Sequence, residues 1–283
     1  MFDNVLVGVD GKTYGRDAIS LATRLTGADG KLTLAHVRPG ELHPLHALTP
    51  GLLAEERDAS QQLLERERAE ADVQAELVSV VAASPGAGLH RQAEEQGADL
   101  LVVGSCSHSA FGRAMLGDDT RAALNGAPCA VAVAARGASA HPTPLARIGV
   151  AYNGSPEARR ALAMAVALAE PTRAQVSALE VISIPTYAFT GVMAPSMGDT
   201  IDAMLADAGK RMGELANVEG RAVYGLAGEE LAAYSQDLDL LVVGSRGYGP
   251  LRRLVLGSTS DYLERHARCS LLVLPRLAEE APA

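Results

Sequence analysis

The chain has 283 residues, 48% hydrophobic and 21% charged, which is an ordinary globular composition and enough length for two domains. A formal net charge of −9 argues against sequence-independent nucleic-acid binding. No apolar run approaches the roughly 18 residues that span a membrane, no signal peptide is predicted, and three cysteines do not indicate a disulfide framework, so we expect a cytoplasmic protein.

Strand and helix patterns alternate along the first part of the chain. Short apolar runs predict strands, and apolar residues three or four apart predict helices. The predicted strands are 4–9, 31–37, 75–82, 100–104 and 130–134. The predicted helices are 14–26, 52–71, 86–96 and 119–125.

The chain then repeats this order at a spacing of about 140 residues. The segment Asp-Leu-Leu-Val-Val-Gly-Ser occurs at 99–105 and again at 239–245, and Cys129 has its counterpart in Cys269. Both cysteines precede apolar strand runs, so we expect buried free thiols. The Gly- and Pro-containing linker between the repeats predicts a first copy at 1–138 and a second copy at 145–276. In the second copy the predicted strands are 148–152, 175–182, 220–226, 238–244 and 270–275, and the predicted helices are 157–169, 200–215, 228–236 and 259–265.

The strand composition indicates the fold class. Continuous apolar strands such as 240–243 are typical of parallel sheets that are covered on both faces. Strand–helix alternation then predicts two tandem doubly wound α/β domains. Such sheets bind ligands at the carboxyl ends of their strands, which selects the loops after the first, second and fourth strands of each copy.

The loop after the fourth strand of the second copy has the composition of an anion site. Its glycines and serine are spaced Gly-x2-Gly-x9-Gly-Ser. Glycines permit close backbone approach, and the N–H groups of such a turn and of the following helix attract phosphate. An alternative interpretation is that Ser258 only caps its helix, because Ser258-x-x-Asp261 resembles a capping box.

This loop, its flanking segment 239–247 and the opening segment 5–11 resemble the universal stress protein family over nearly the whole chain. The resemblance implies two adenine-nucleotide α-hydrolase-like domains, each with a five-stranded parallel sheet of order 3-2-1-4-5. Some members of that family bind ATP, and others lack the glycine signature and do not. It also implies that the last strands, 130–134 and 270–274, pair across a pseudo-twofold axis.

The resemblance assigns a role to each matching residue of the second copy. Asn153, with Gly154 and Ser155 beside it, would face the ribose or adenine, and the Val181 backbone would bind adenine. The same four residues 153–156 also predict a turn followed by a helix capped by Ser155. The residues implied at the phosphates are Gly244, Ser245, Arg246, Gly247, Gly257, Ser258 and Thr259.

The first copy carries a weaker form of the same site. Ser107 stands where the second copy has Gly247, and Asp118 stands where it has Ser258, so a carboxylate takes the place of a phosphate donor. We therefore expect weak or no nucleotide binding there. The positions that it retains are Asp10, Gly11, Val37, Gly104 and Gly117.

The resemblance, together with the loop composition, implies a regulatory protein of the stress response that binds ATP or a related adenine nucleotide, mainly in the second copy. Mg²⁺ or Mn²⁺ would arrive with the nucleotide. No nucleophile–base pair is evident, so at most slow ATP hydrolysis is expected. The alternatives are a nucleotide-free interaction module and an adenylyl-transferring enzyme of the same fold class. A homodimer is possible, and neither nucleic acid nor a membrane is an expected partner.

Overall fold

The structure of the protein is a computed structural model. The residues that it describes are 1–39, 51–105, 118–140, 144–183, 197–245, 254 and 257–276. The predicted site residues Gly117, Arg246 and Gly247 lie outside this set, as does Ser107. No helix within these ranges has the length and apolar character needed to cross a membrane.

Strands and helices alternate in the first copy. They are β1 (Phe2–Gly8), α1 (Thr13–Leu25), β2 (Thr26–Pro39), α2 (Leu52–Ala71), β3 (Glu76–Ala82), α3 (Pro85–Gln96), β4 (Leu100–Gly104), α4 (Asp118–Leu124) and β5 (Ala130–Ala134).

The second copy follows the same order. Its elements are β6 (Arg147–Ala151), α5 (Pro156–Ala169), β7 (Gln175–Ile182), α6 (Met197–Gly213), β8 (Glu219–Tyr224), α7 (Ala227–Tyr234) with a short 3-10 turn (Ser235–Asp237), β9 (Leu240–Gly244), α8 (Ser258–His266) and β10 (Ser270–Leu274).

One predicted boundary is wrong by several residues. Strand β2 starts at Thr26 and not at residue 31, because Thr26 already pairs with Phe2 of β1. The register then shifts before Asn4 pairs with Lys31, so residues 27–30 form an irregular insertion that interrupts the apolar pattern.

The two copies share one ten-stranded sheet. Its strand order is β3-β2-β1-β4-β5-β10-β9-β6-β7-β8, which gives 3-2-1-4-5 within each copy. All pairs inside a copy are parallel, and β5 and β10 pair antiparallel with Leu272 opposite Ala132. The α/β fold and the predicted pairing of the two last strands are therefore confirmed.

Helices cover both faces of this sheet. Val5 and Val7 of β1 belong to the core on one face, and Leu6 between them belongs to the core on the other. Both cores contain residues of both copies, so each runs continuously beneath the helices. Alternation of apolar side chains to two buried faces explains the uninterrupted apolar strands.

Cys129 and Cys269 lie at equivalent positions in these cores. Both are buried free thiols, as predicted. Burial raises the pKa of each thiol to about 12, because a thiolate would lose its hydration. Neither cysteine is therefore suited to redox chemistry at neutral pH.

Candidate functional site

A cavity of about 390 Å³ lies at the carboxyl ends of β6, β7 and β9 in the second copy. Strand β6 has β7 on one side and β9 on the other, so the cavity sits where the winding of the sheet reverses. Gly154 is close in sequence but does not line it. The predicted site residues that do line it are Asn153, Ser155, Val181, Gly244, Ser245, Gly257, Ser258 and Thr259.

The turn after β6 positions Asn153. The Ser155 N–H donates to Asn153 Oδ1 at 3.1 Å, and Gly154 has a φ of +74°, which a residue with a side chain adopts only with strain. The Ser155 hydroxyl accepts from the Ala158 N–H at 3.2 Å and caps α5, as predicted. The side-chain amide oxygen of Asn153 is thus used in the turn, and the side-chain NH₂ group can donate to a ligand.

The backbone of Val181 reaches beyond the end of the neighbouring strand. The Tyr152 N–H, just after β6, donates to the Leu179 oxygen at 3.0 Å. Backbone groups of alternate residues in a strand point to the same side, so those of Val181 point to the β6 side as well. Since β6 ends at Ala151, the Val181 N–H and C=O face the cavity that its residue lines.

Ser245 lines the cavity and has a buried, unsatisfied hydroxyl. Its N–H donates to the Leu274 oxygen at 2.9 Å, which fixes the turn out of β9. Its side chain is buried, and Oγ has no hydrogen-bond partner within the described part of the chain. A buried polar group without a partner costs about 1–3 kcal/mol, so a ligand acceptor at this position would be stabilising.

Gly244 has a packing role beside Ser245. A Cβ there would lie 2.8 Å from the Glu157 Cβ, so a side chain would push α5 away from the end of β9. The glycine therefore allows the first turn of α5 to approach the cavity.

Helix α8 starts without a side-chain cap. Its N-cap is Gly257, whose carbonyl accepts from the Asp261 N–H at 2.8 Å, and within the described residues no side chain accepts from the first turn. The interpretation of Ser258 as a capping residue is wrong, because Ser258 is already the first helical residue. The helix therefore presents its N-terminal N–H groups, its positive dipole end and the Ser258 and Thr259 hydroxyls to the cavity.

Sequence reasoning missed part of the lining. Glu157 contributes a carboxylate, which lies 3.9 Å from Arg276, and Ala227 and Leu231 contribute an apolar wall. The spacing of Ala227 and Leu231 by four residues on α7 is a signal that could have found them. Among the residues that the structure describes, no group of three or more His, Cys, Asp or Glu side chains is placed to hold a metal ion.

The equivalent cavity of the first copy is smaller, about 130 Å³. Asp10, Val37 and Gly104 line it, and so does Tyr14, which stands where the second copy has Glu157. Gly11 does not line it. Its φ of +72° forms the same turn, but a Cβ there would meet Leu63 of α2 at 2.8 Å, so helix α2 packs closely against this turn.

Fold and cavity together define a class: a tandem doubly wound α/β protein with a ligand-sized cavity at a switch point of the sheet. A sequence model of the Universal stress protein family matches residues 1–135 and 145–275. The chain belongs to this family.

Relatives and solved structures agree with that assignment. A universal stress protein of Mycobacterium tuberculosis is 30% identical over 185 residues, which are 62% of this chain and 61% of the relative. Two solved universal stress proteins share the fold. The one from Archaeoglobus fulgidus has a TM-score of 0.67 at 17% identity and covers 96% of this chain and 98% of its own. The one from Pseudomonas aeruginosa, described as putative, has a TM-score of 0.65 at 18% identity and covers 97% and 93%.

Proposed function

We propose that the chain is an ATP-binding regulatory protein of the stress response in which the second copy holds the nucleotide. The observation that carries the proposal is the meeting of an unsatisfied Ser245 hydroxyl with the uncapped start of α8 in one cavity. Hydroxyls and free N–H groups donate without bringing negative charge, which suits phosphate oxygens.

The cavity lining includes apolar residues that suit adenine and polar residues that suit phosphate. Leu179, Leu231 and Val243 give an apolar surface for the adenine ring, and the Val181 backbone offers a donor and an acceptor for its edge. Ser245, Ser258 and Thr259 would hold the triphosphate. Mg²⁺ or Mn²⁺ would arrive with the nucleotide, and Gly247 and Arg246, which follow Ser245 in the chain, would complete the phosphate loop.

Binding in the first copy would be weak or absent. Its cavity has about a third of the volume, and its sequence has an acidic residue where the second copy has Ser258. The proposal therefore includes a stoichiometry of one nucleotide per chain.

Titration calorimetry with ATP tests this function with a matched pair of variants. Ser245→Ala should weaken ATP binding about tenfold, because a hydrogen bond to a charged group is lost. Ser105→Ala is the control: Ser105 holds the equivalent position and also has a buried, unsatisfied hydroxyl, but it does not line the first-copy cavity. The ATP affinity of the Ser105→Ala variant should equal that of the wild type.

Three results would contradict the proposal in different ways. No heat with ATP, and no nucleotide in mass spectra of the purified protein, would leave the nucleotide-free interaction module. Two equal sites would contradict the asymmetry. Fast nucleotide turnover with a co-substrate would favour an adenylyl-transferring enzyme.

A further inference from the structure

Helix α8 is held by a charged side chain of the other copy. Arg121 of α4 forms an ion pair with Asp261, which lies in the first turn of α8. Asp261 also accepts from Arg265 of its own helix at 2.7 Å. One carboxylate thus carries two guanidinium groups, one of them from the first copy.

The position of Asp261 makes its charge matter to an anion. It follows Ser258 by three residues, so the two share a face of α8 about 4.5 Å apart along the axis. A carboxylate in the first turn stabilises a helix through its dipole. The same negative charge repels phosphate oxygens bound at that helix terminus.

The two arginines reverse the sign of this local charge. Asp261 with Arg121 and Arg265 has a net charge of +1, and without Arg121 the group is neutral. Glu264, one turn further along α8 and buried, is a second carboxylate near Arg121. Above the Glu264 pKa of about 7, Glu264 is ionised and the four side chains together are neutral, so losing Arg121 leaves them with a net charge of −1.

We propose that Arg121 of the first copy is a positioning residue for the phosphate end of the nucleotide in the second copy, acting by offsetting the combined negative charge of Asp261 and Glu264. The inference rests on the proposed function. It gives the first copy a role in nucleotide binding at the cavity of the second copy.

The test is calorimetry of Arg121→Gln at pH 8 and low ionic strength. ATP affinity should fall by about three- to tenfold, ADP affinity by less, and adenosine affinity should not change, because the effect scales with ligand charge. The loss should shrink in high salt, which screens exposed charges. Lys31→Gln is the control, since it removes the same charge from an ion pair with Glu76 at the outer β2–β3 edge of the sheet.

A rescue variant separates charge from scaffolding. Arg121→Gln with Asp261→Asn restores the wild-type net charge of the cluster without restoring the contact, so ATP affinity should return to the wild-type value. Equal losses for ATP and adenosine, or no rescue, would overturn the inference and leave the proposed function intact. An Arg121→Gln variant that binds ATP like the wild type would do the same. If the wild-type chain binds no ATP, both proposals fall.

Discussion

The two cavities occupy equivalent ends of one sheet and differ threefold in volume, about 390 Å³ against 130 Å³. The turns that begin them are nearly the same, with φ of +72° at Gly11 and +74° at Gly154. What differs is the side chains: Tyr14 lines the first cavity where Glu157 lines the second. Leu63 Cδ1 lies 2.8 Å from a Cβ built at Gly11, whereas nothing in the described part of the chain lies within 4 Å of one built at Gly154. A doubly wound scaffold can thus keep its topology and turns while side-chain size and charge set ligand capacity.

The strongest test of this difference between the copies replaces Ser258 of the second copy by aspartate, the residue type found at Asp118 in the first copy. Ser258→Asp should weaken ATP binding about a thousandfold, because a like charge about 4 Å from phosphate costs about 4 kcal/mol at an effective dielectric constant of about 20. Ser258→Ala, which loses only a hydroxyl, should cost about tenfold. Calorimetry measures both.

The reverse exchange sharpens the same point. Asp118→Ser with Asp119→Ser should raise the affinity of the first copy for ATP, but by less than Ser258→Asp lowers that of the second, because the small cavity remains. If Ser258→Asp binds ATP normally, charge does not explain the asymmetry between the copies.

The two copies also differ at Glu264, and the difference should affect the stability of the protein. Glu264 is buried, neither carboxylate oxygen has a partner in the described part of the chain, and its counterpart in the first copy is the core residue Leu124. Burial raises the Glu264 pKa from 4.5 to about 7, while Arg121 and Arg265 oppose the shift and Asp261 adds to it. The folded state therefore binds a proton more tightly than the unfolded state, and stability falls as pH rises from about 4.5 to 7.

Glu264→Leu should remove that loss. In urea unfolding at pH 8, the free energy of unfolding should increase by about 3 kcal/mol, and the increase should be much smaller at pH 4. Glu264→Gln keeps the shape without the charge and should show the same pH trend with a smaller gain. A gain that is independent of pH would mean that packing and not ionisation is responsible.

The smallest expected difference concerns the two turn glycines. Gly154→Ala should lower the free energy of unfolding by about 1 kcal/mol, because the positive φ at this position strains any residue with a Cβ. Gly11→Ala should cost about 1 kcal/mol more, since the added Cβ would lie 2.8 Å from Leu63 Cδ1. Urea unfolding without nucleotide compares the two, and equal costs would contradict the tighter packing of α2 on the first copy.

Local sequence signals predicted most of the fold. The helix Leu52–Ala71 and the strand Leu100–Gly104 have the predicted ends, and Ser155 caps α5 as expected. These features depend on neighbouring residues, as apolar periodicity and capping do. The start of β2 at Thr26 was missed because it depends on pairing with Phe2 of another strand.

The site was predicted less completely, since its remaining parts depend on contacts that are distant in sequence. Nothing near Glu264 in the chain indicates that it is buried, and nothing near Asp261 indicates a partner at Arg121. Ser258 has the sequence of a cap, but the chain path puts Gly257 in that place. The roles of Arg246 and Gly247 stay predictions.

The pair of Arg121 and Asp261 has an evolutionary consequence. The two residues are 140 positions apart, the same spacing that relates the repeats, so they are equivalents that face each other. In an isologous homodimer, equivalent positions carry the same residue, and arginine would meet arginine there or aspartate would meet aspartate. Fusion into one polypeptide frees each position to mutate separately and turns that repulsion into attraction. A dimer of two identical halves would place like charges opposite each other at this position, so this contact favours pairing of the first copy with the second.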